Sequence, residues 1–215
     1  MCFSASASFV SSAVLLAGGG FALKQVKSPS QRAFAAIPII FSIQQFTEGL
    51  LWLTDGGSDS IWQKTLMYTF LFFAQIVWPF WVPYSMWRIE TNESRKKILK
   101  LLLFFGIGES LFLAYGIFFH AVDFQITHSH IKYIISYRAS YPEYMSVFYF
   151  IPTVFPFFFS TVKRIYILYL LVCASAIVTY FLYKEYFISI WCFFAALISY
   201  SIVYILNKTN SRIIG

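Results

Sequence analysis

Charge is what this chain has least of. Only 12% of its 215 residues are charged while 59% are hydrophobic, which leaves too little polar surface to cover a soluble globule and predicts an integral membrane protein. Cysteine and histidine are scarce, three of each, and no Cys-x-x-Cys pair occurs, so no metal site announces itself by spacing. The chain has no nucleotide-binding glycine loop and no Ser-centred elbow. It also has no lysine deep in its last apolar run to hold retinal as a Schiff base. These absences exclude several familiar chemistries. The first apolar run has no basic residue ahead of it and no small-residue cleavage site, so it reads as a retained helix and not as a signal peptide.

What is present is a series of seven apolar runs, each near the ~20 residues that a spanning helix needs. The expected fold is an all-α membrane protein of seven transmembrane helices, at about 4–23, 32–54, 62–87, 98–120, 142–161, 164–183 and 186–207, with an outer loop at 121–141. The charged stretch from Glu90 to Lys97 can begin the fourth helix early. Basic residues set the orientation. With the N-terminus outside and the C-terminus cytoplasmic, Lys24, Lys27, Arg32, Arg88, Arg95, Lys96, Lys97, Lys100, Lys163, Arg164, Lys208 and Arg212 fall inside, against Lys64, Lys132, Arg138 and Lys184 outside. Twelve against four is the asymmetry of the positive-inside rule, and it accounts for the net charge of +7 without a nucleic-acid partner. The 121–141 loop is the longest connection, and its mixed periodicity fits either a short strand pair or an interfacial helix. Pro79, Pro83, Pro152 and Pro156 interrupt two of the spans, and such kinks either open a cavity or are simply tolerated in a membrane bundle.

Glu48 is the polar residue that matters most. It lies inside the second run on a helical face with Gln44, Gln45 and Trp52, about 9 Å below the outer edge at 1.5 Å per residue. An intramembrane acid usually faces a bundle interior and marks a site or a pathway. Cys192 in the seventh run reaches a similar depth, Cys2 heads the first run at the outer face, and His128 and His130 occupy the outer loop. Thiolate, imidazole and carboxylate are ligands of zinc, and copper or iron accepts the same mixture. The expected metal ligands are therefore Cys2, Glu48, His130 and Cys192, with His128 as substitute. Glu48 or a histidine would act as base in a metal-dependent hydrolase, and the Cys2 thiolate would be the nucleophile of a metal-free one. Two other readings stand beside this one. A small-molecule or proton-coupled transporter or receptor would use Glu48 and Glu109 for protons or a cationic ligand, with aromatic walls around an apolar body. Alternatively the polar cluster only locks helices together, or Cys2 and Cys192 form a disulfide. In every case the partners are the lipid bilayer and, for a functional site, a small molecule or lipid at the outer face.

Four patches of the chain, Met1-Cys-Phe-Ser-Ala-Ser-Ala-Ser-Phe, Gln44-Gln-Phe-Thr-Glu-Gly-Leu-Leu-Trp, Trp78-Pro-Phe-Trp-Val-Pro and Trp191-Cys-Phe-Phe-Ala-Ala, with His130-Ile-Lys-Tyr as a fifth, resemble a family of uncharacterised bacterial multi-pass membrane proteins that open with Met-Cys-Phe-Ser-Ala. The resemblance spans the whole chain and implies a bacterial cytoplasmic-membrane location, with no activity attached. The seven-helix zinc hydrolases of the alkaline ceramidase type carry paired histidines in their last helix, whereas no histidine follows His130 here.

Overall fold

The computed structural model describes residues 4–57, 59–127, 130–139 and 146–210. Six helices are long and apolar enough to cross a membrane: α1 Ala5–Lys24, α2 Pro29–Leu51, α3 Ile61–Ile89, α4 Glu93–Phe119, α6 Ile165–Leu182 and α7 Lys184–Lys208. Between α4 and α6 lies a shorter apolar helix, α5, Ser146–Phe158. The protein is thus a multi-pass helical membrane protein by the length and composition of its helices. The 121–141 connection takes the first of its two expected forms, a hairpin of β1 Val122–Thr127 and β2 His130–Ile135, a small addition to a predominantly helical fold. As the charged stretch suggested, α4 begins early, at Glu93 instead of about 98.

Local chemistry sets the helix starts. Ser4 caps α1 by accepting from the Ala7 N–H at 3.3 Å. Ser60 and Gln63 form a reciprocal capping box at α3, and Asn92 caps α4 with Glu93 in the first turn, where the helix dipole favours an acid. Small residues then bring backbones together, as membrane helices require in the absence of a hydrophobic drive between them. Ser12 and Ser42 exchange hydrogen bonds with each other's carbonyl at 2.9 and 2.7 Å, joining α1 to α2. At Gly106 of α4 a Cβ would stand 1.9 Å from the Pro79 carbonyl oxygen, so only glycine allows α4 this close to α3.

α3 is not a uniform helix. Phe72–Val77 forms a π-helical stretch, which together with Pro79 leaves carbonyls that need other donors. Tyr149 Oη on α5 donates to the Ala74 carbonyl at 2.6 Å and Ser110 Oγ on α4 to the Ile76 carbonyl at 2.7 Å. The irregular backbone is therefore satisfied by neighbouring helices. α2, α3, α5, α6 and α7 surround the centre of the molecule, and α4 packs outside them on α3 and α5.

The hairpin closes one end of this bundle. Its register pairs Val122 with Ile135 and Thr127 with His130, and strand alternation turns Val122, Phe124, Ile131, Tyr133 and Ile135 to the buried side. Tyr133 stacks on Phe70 of α3 at 4.8 Å. Gly57, at φ +81°, donates to the Phe124 carbonyl at 2.8 Å and ties the α2–α3 turn to the hairpin. Lys132 Nζ lies 2.8 Å from Glu185 at the start of α7. The opposite end carries the basic residues Lys24, Arg88, Arg95 and Arg164, at helix ends that meet there.

Candidate functional site

Beneath the hairpin, Glu48 is 1% exposed. Ser189 Oγ of α7 donates to its Oε1 at 2.5 Å and Gln45 Nε2 to its Oε2 at 3.3 Å. Gln44, one residue further round α2, accepts from Trp78 Nε1 of α3 at 2.8 Å. Cys192, three residues after Ser189 and hence on the same face of α7, lies beside Gln44 and near Glu48. Tyr133 reaches in from β2. Burial, and then the neighbouring Glu48 and Cys192, push its hydroxyl well above the usual tyrosine range. It stays a neutral hydrogen-bonding group at any ordinary pH. The site is thus assembled from α2, α3, α7 and β2.

Its hydrogen bonding is incomplete. Among the described residues Gln45 Oε1 and the Tyr133 hydroxyl are buried without a partner, and Gln44 Nε2 has only the Cys192 thiol beside it, although buried polar groups are paired in the great majority of cases. Each such group costs roughly 1–3 kcal/mol. Three such groups around one carboxyl are thus left short of partners among the described residues.

Next to this polar end is an apolar cavity with about 50 Å³ of room for the centre of a water molecule. Its walls include Phe41, Trp78, Tyr149, Trp191, Cys192 and Ala195. Phe41 stacks on Trp78 at 3.8 Å. Val82, Thr153 and Phe157, each adjacent to one of the interrupting prolines, also line it, so the irregular parts of α3 and α5 border open space. Apolar cavities of this kind stay dry and take apolar guests. Trp78 and Cys192 belong to both the polar cluster and the cavity wall.

The structure brings Glu48, Gln44, Gln45 and Cys192 together, as depth along the helices predicts. It places the other described candidates elsewhere. His130 sits at the hairpin edge, its ring 5.4 and 4.6 Å from those of Tyr183 and Tyr186. Glu109 is half-buried on α4, away from the groups that act on Glu48. Trp52 ends α2, and its bond to Glu48 is a backbone one, N–H to carbonyl at 3.0 Å. Cys2 and His128 lie outside the described residues. Among the described residues no three of His, Cys, Asp and Glu gather closely enough to hold a metal ion. Among the described residues the Cys192 thiol is in no disulfide. Ser189, Tyr133 and Trp78 were missed by the sequence reading. Ser189 was within reach of it, three residues before Cys192, while Tyr133 and Trp78 stand inside two of the distinctive patches.

A second buried acid was also missed. Glu90, 2% exposed in the α3–α4 turn, accepts from Thr91 N and Asn92 N at 3.0 and 2.9 Å and from Thr161 N, across in the α5–α6 turn, at 2.7 Å. The Thr161 hydroxyl also donates to it. Burial raises its pKa, but these bonds to the ionised form together outweigh burial and hold it below the ordinary carboxylate range.

This arrangement is that of a helical multi-pass membrane protein with a buried polar site under a hairpin cap. The chain belongs to the family of unknown function DUF6629, whose model matches residues 1–214. No curated protein and no solved structure matches it.

Proposed function

We propose that this protein is a seven-span binding protein of the bacterial inner membrane, a receptor or carrier that takes a small amphipathic molecule from the outer face. The N-terminus and hairpin face the periplasm and the C-terminus faces the cytoplasm, in keeping with the distribution of basic residues. The ligand's polar head lies against Glu48, Gln44, Gln45 and Tyr133, and its apolar body enters the aromatic-walled cavity. One observation carries this reading: Trp78 and Cys192 are shared by a polar cluster with unpartnered groups and by an apolar cavity, the pairing of features typical of small-molecule sites.

The test is native mass spectrometry of protein extracted in mild detergent, beside the Ala195→Phe variant, which fills the cavity without touching the polar groups. A co-purifying small molecule carried by the wild type and lost in the variant is expected. Equal occupancy of both proteins, or none in either with no ligand-induced thermal shift, rejects the reading. A zinc or copper centre is the second reading, favoured by the proximity of Glu48 and Cys192. Cys2 and one of His128 and His130 would have to complete it, with Glu48 as base should the centre be hydrolytic. Stoichiometric metal in purified protein, lost on Cys192→Ala, would replace the amphipathic-ligand reading with this one.

A further inference from the structure

At the basic end, the turn between α5 and α6 borders an open groove of about 500 Å³. Lys163 and Arg164 line it side by side. Arg164, at φ 73°, has its guanidinium 5.2 Å over the Tyr204 ring and donates to the Tyr204 hydroxyl at 3.1 Å. A third cation joins them from α4: Arg95 donates to the carbonyls of Phe159 and Ser160, on the same turn, at 3.4 and 3.3 Å. Among the described residues no carboxylate pairs with Lys163, Arg164 or Arg95. Glu90, the acid behind Thr161, is 2% exposed and its oxygens are taken by four hydrogen bonds.

The rest of the wall is aromatic. Phe158 and Tyr166 are 59% and 63% exposed, and Phe158 packs on Tyr169 at 5.5 Å. Phe158 ends α5 and Tyr166 lies in the first turn of α6, so these rings stand where a bilayer's headgroup zone gives way to acyl chains. Three uncompensated cations above exposed rings at that level match a phosphate on a hydrocarbon body. They suit a free anion poorly, because it would leave the rings bare. A zwitterionic headgroup fits less well too, because it brings its own cation.

We propose that this groove is a specific site for one anionic phospholipid, its phosphate held by Lys163, Arg164 and Arg95 and its chain laid along Phe158 and Tyr166. Basic pockets between spans recognise such headgroups by the same complementarity. The site is independent of the Glu48 pocket, at the other end of the bundle.

The experiment follows thermal unfolding of the detergent-purified protein with added short-chain phosphatidylglycerol, short-chain phosphatidylcholine or sodium phosphate. Phosphatidylglycerol is expected to raise the midpoint by several degrees, with little change from the other two. The double variant Lys163→Gln, Arg164→Gln should keep an unliganded midpoint close to wild type and respond to both lipids alike. Should that variant fail to fold, the single Lys163→Gln, at an exposed position, is expected to lose a large part of the shift. Equal stabilisation by both lipids, reproduction of the effect by phosphate alone, or a full shift in a folded variant overturns the proposal.

Discussion

Two buried acids define the two ends of this protein, and they are solved in opposite ways. Glu90 is surrounded by donors, four hydrogen bonds from two turns. Glu48 has two, and the polar groups around it are themselves short of partners. Burial is nearly the same, 2% and 1%. What differs is whether the fold consumes the hydrogen-bonding capacity it buries. A saturated carboxylate is a fastener. An unsaturated one in a membrane interior is what the proposed binding reading rests on, because missing partners have a cost that a ligand can offset.

The contrast is sharpest in mutants. Glu90→Ala strands four donors at the junction of the α3–α4 and α5–α6 turns and should cost about 3 kcal/mol, read as a large drop in the unfolding midpoint. Because its native pKa is depressed, the Glu90 contribution is present above the unfolded carboxylate range, about 4.3, and is lost as pH falls through the lower native value. Wild-type stability should therefore fall on acidification below that range, while Glu90→Gln shows a flatter profile.

Glu48→Gln should behave differently: a neutral amide still accepts from Ser189 Oγ, so the midpoint moves by less than about 1 kcal/mol equivalent while ligand occupancy in native mass spectrometry drops sharply. A midpoint loss as large as that of Glu90→Ala would make Glu48 a fastener too and break the comparison. Ala195→Phe should leave the Glu48 hydrogen bonds intact and affect occupancy alone, with a modest change in stability from filling the space. The smallest effect belongs to Lys132→Ala. Glu185 holds the Lys132 ammonium and raises its pKa, but the pair is solvent-exposed, and such pairs contribute little. No resolvable midpoint change is expected, and a large one would show the hairpin to be held by charge instead of by Phe124, Ile131 and Tyr133.

Membrane character, the long apolar helices and the burial of Glu48 were legible because hydropathy is a local property and an acid inside an apolar run stands out. Depth alone brought Cys192 to Glu48, since two antiparallel helices of known rise place residues at computable levels. Glu109 shows the limit of that argument. Depth says nothing about which side of the bundle a helix occupies, and α4 packs on α3 and α5, outside the ring of helices around the centre. His130 shows another limit: strand pairing sets its register opposite Thr127, at the hairpin edge, while Tyr133 three residues on takes the inward place. Glu90 escaped notice because it lies in a charged stretch between spans, where an acid is unremarkable until the distant Thr161 arrives to bind it. The π-helical stretch of α3 likewise has no periodicity signature of its own.

That stretch has a mechanical consequence. A π turn holds one residue more than an α turn, so if Phe72–Val77 tightened to ordinary helix, everything downstream would swivel by about 100° and extend its reach by one step. Trp78 is the first residue past the joint. A small winding change there would swing the indole off Gln44 and away from the cavity wall, making this piece of α3 a rotary catch built into the side of the pocket.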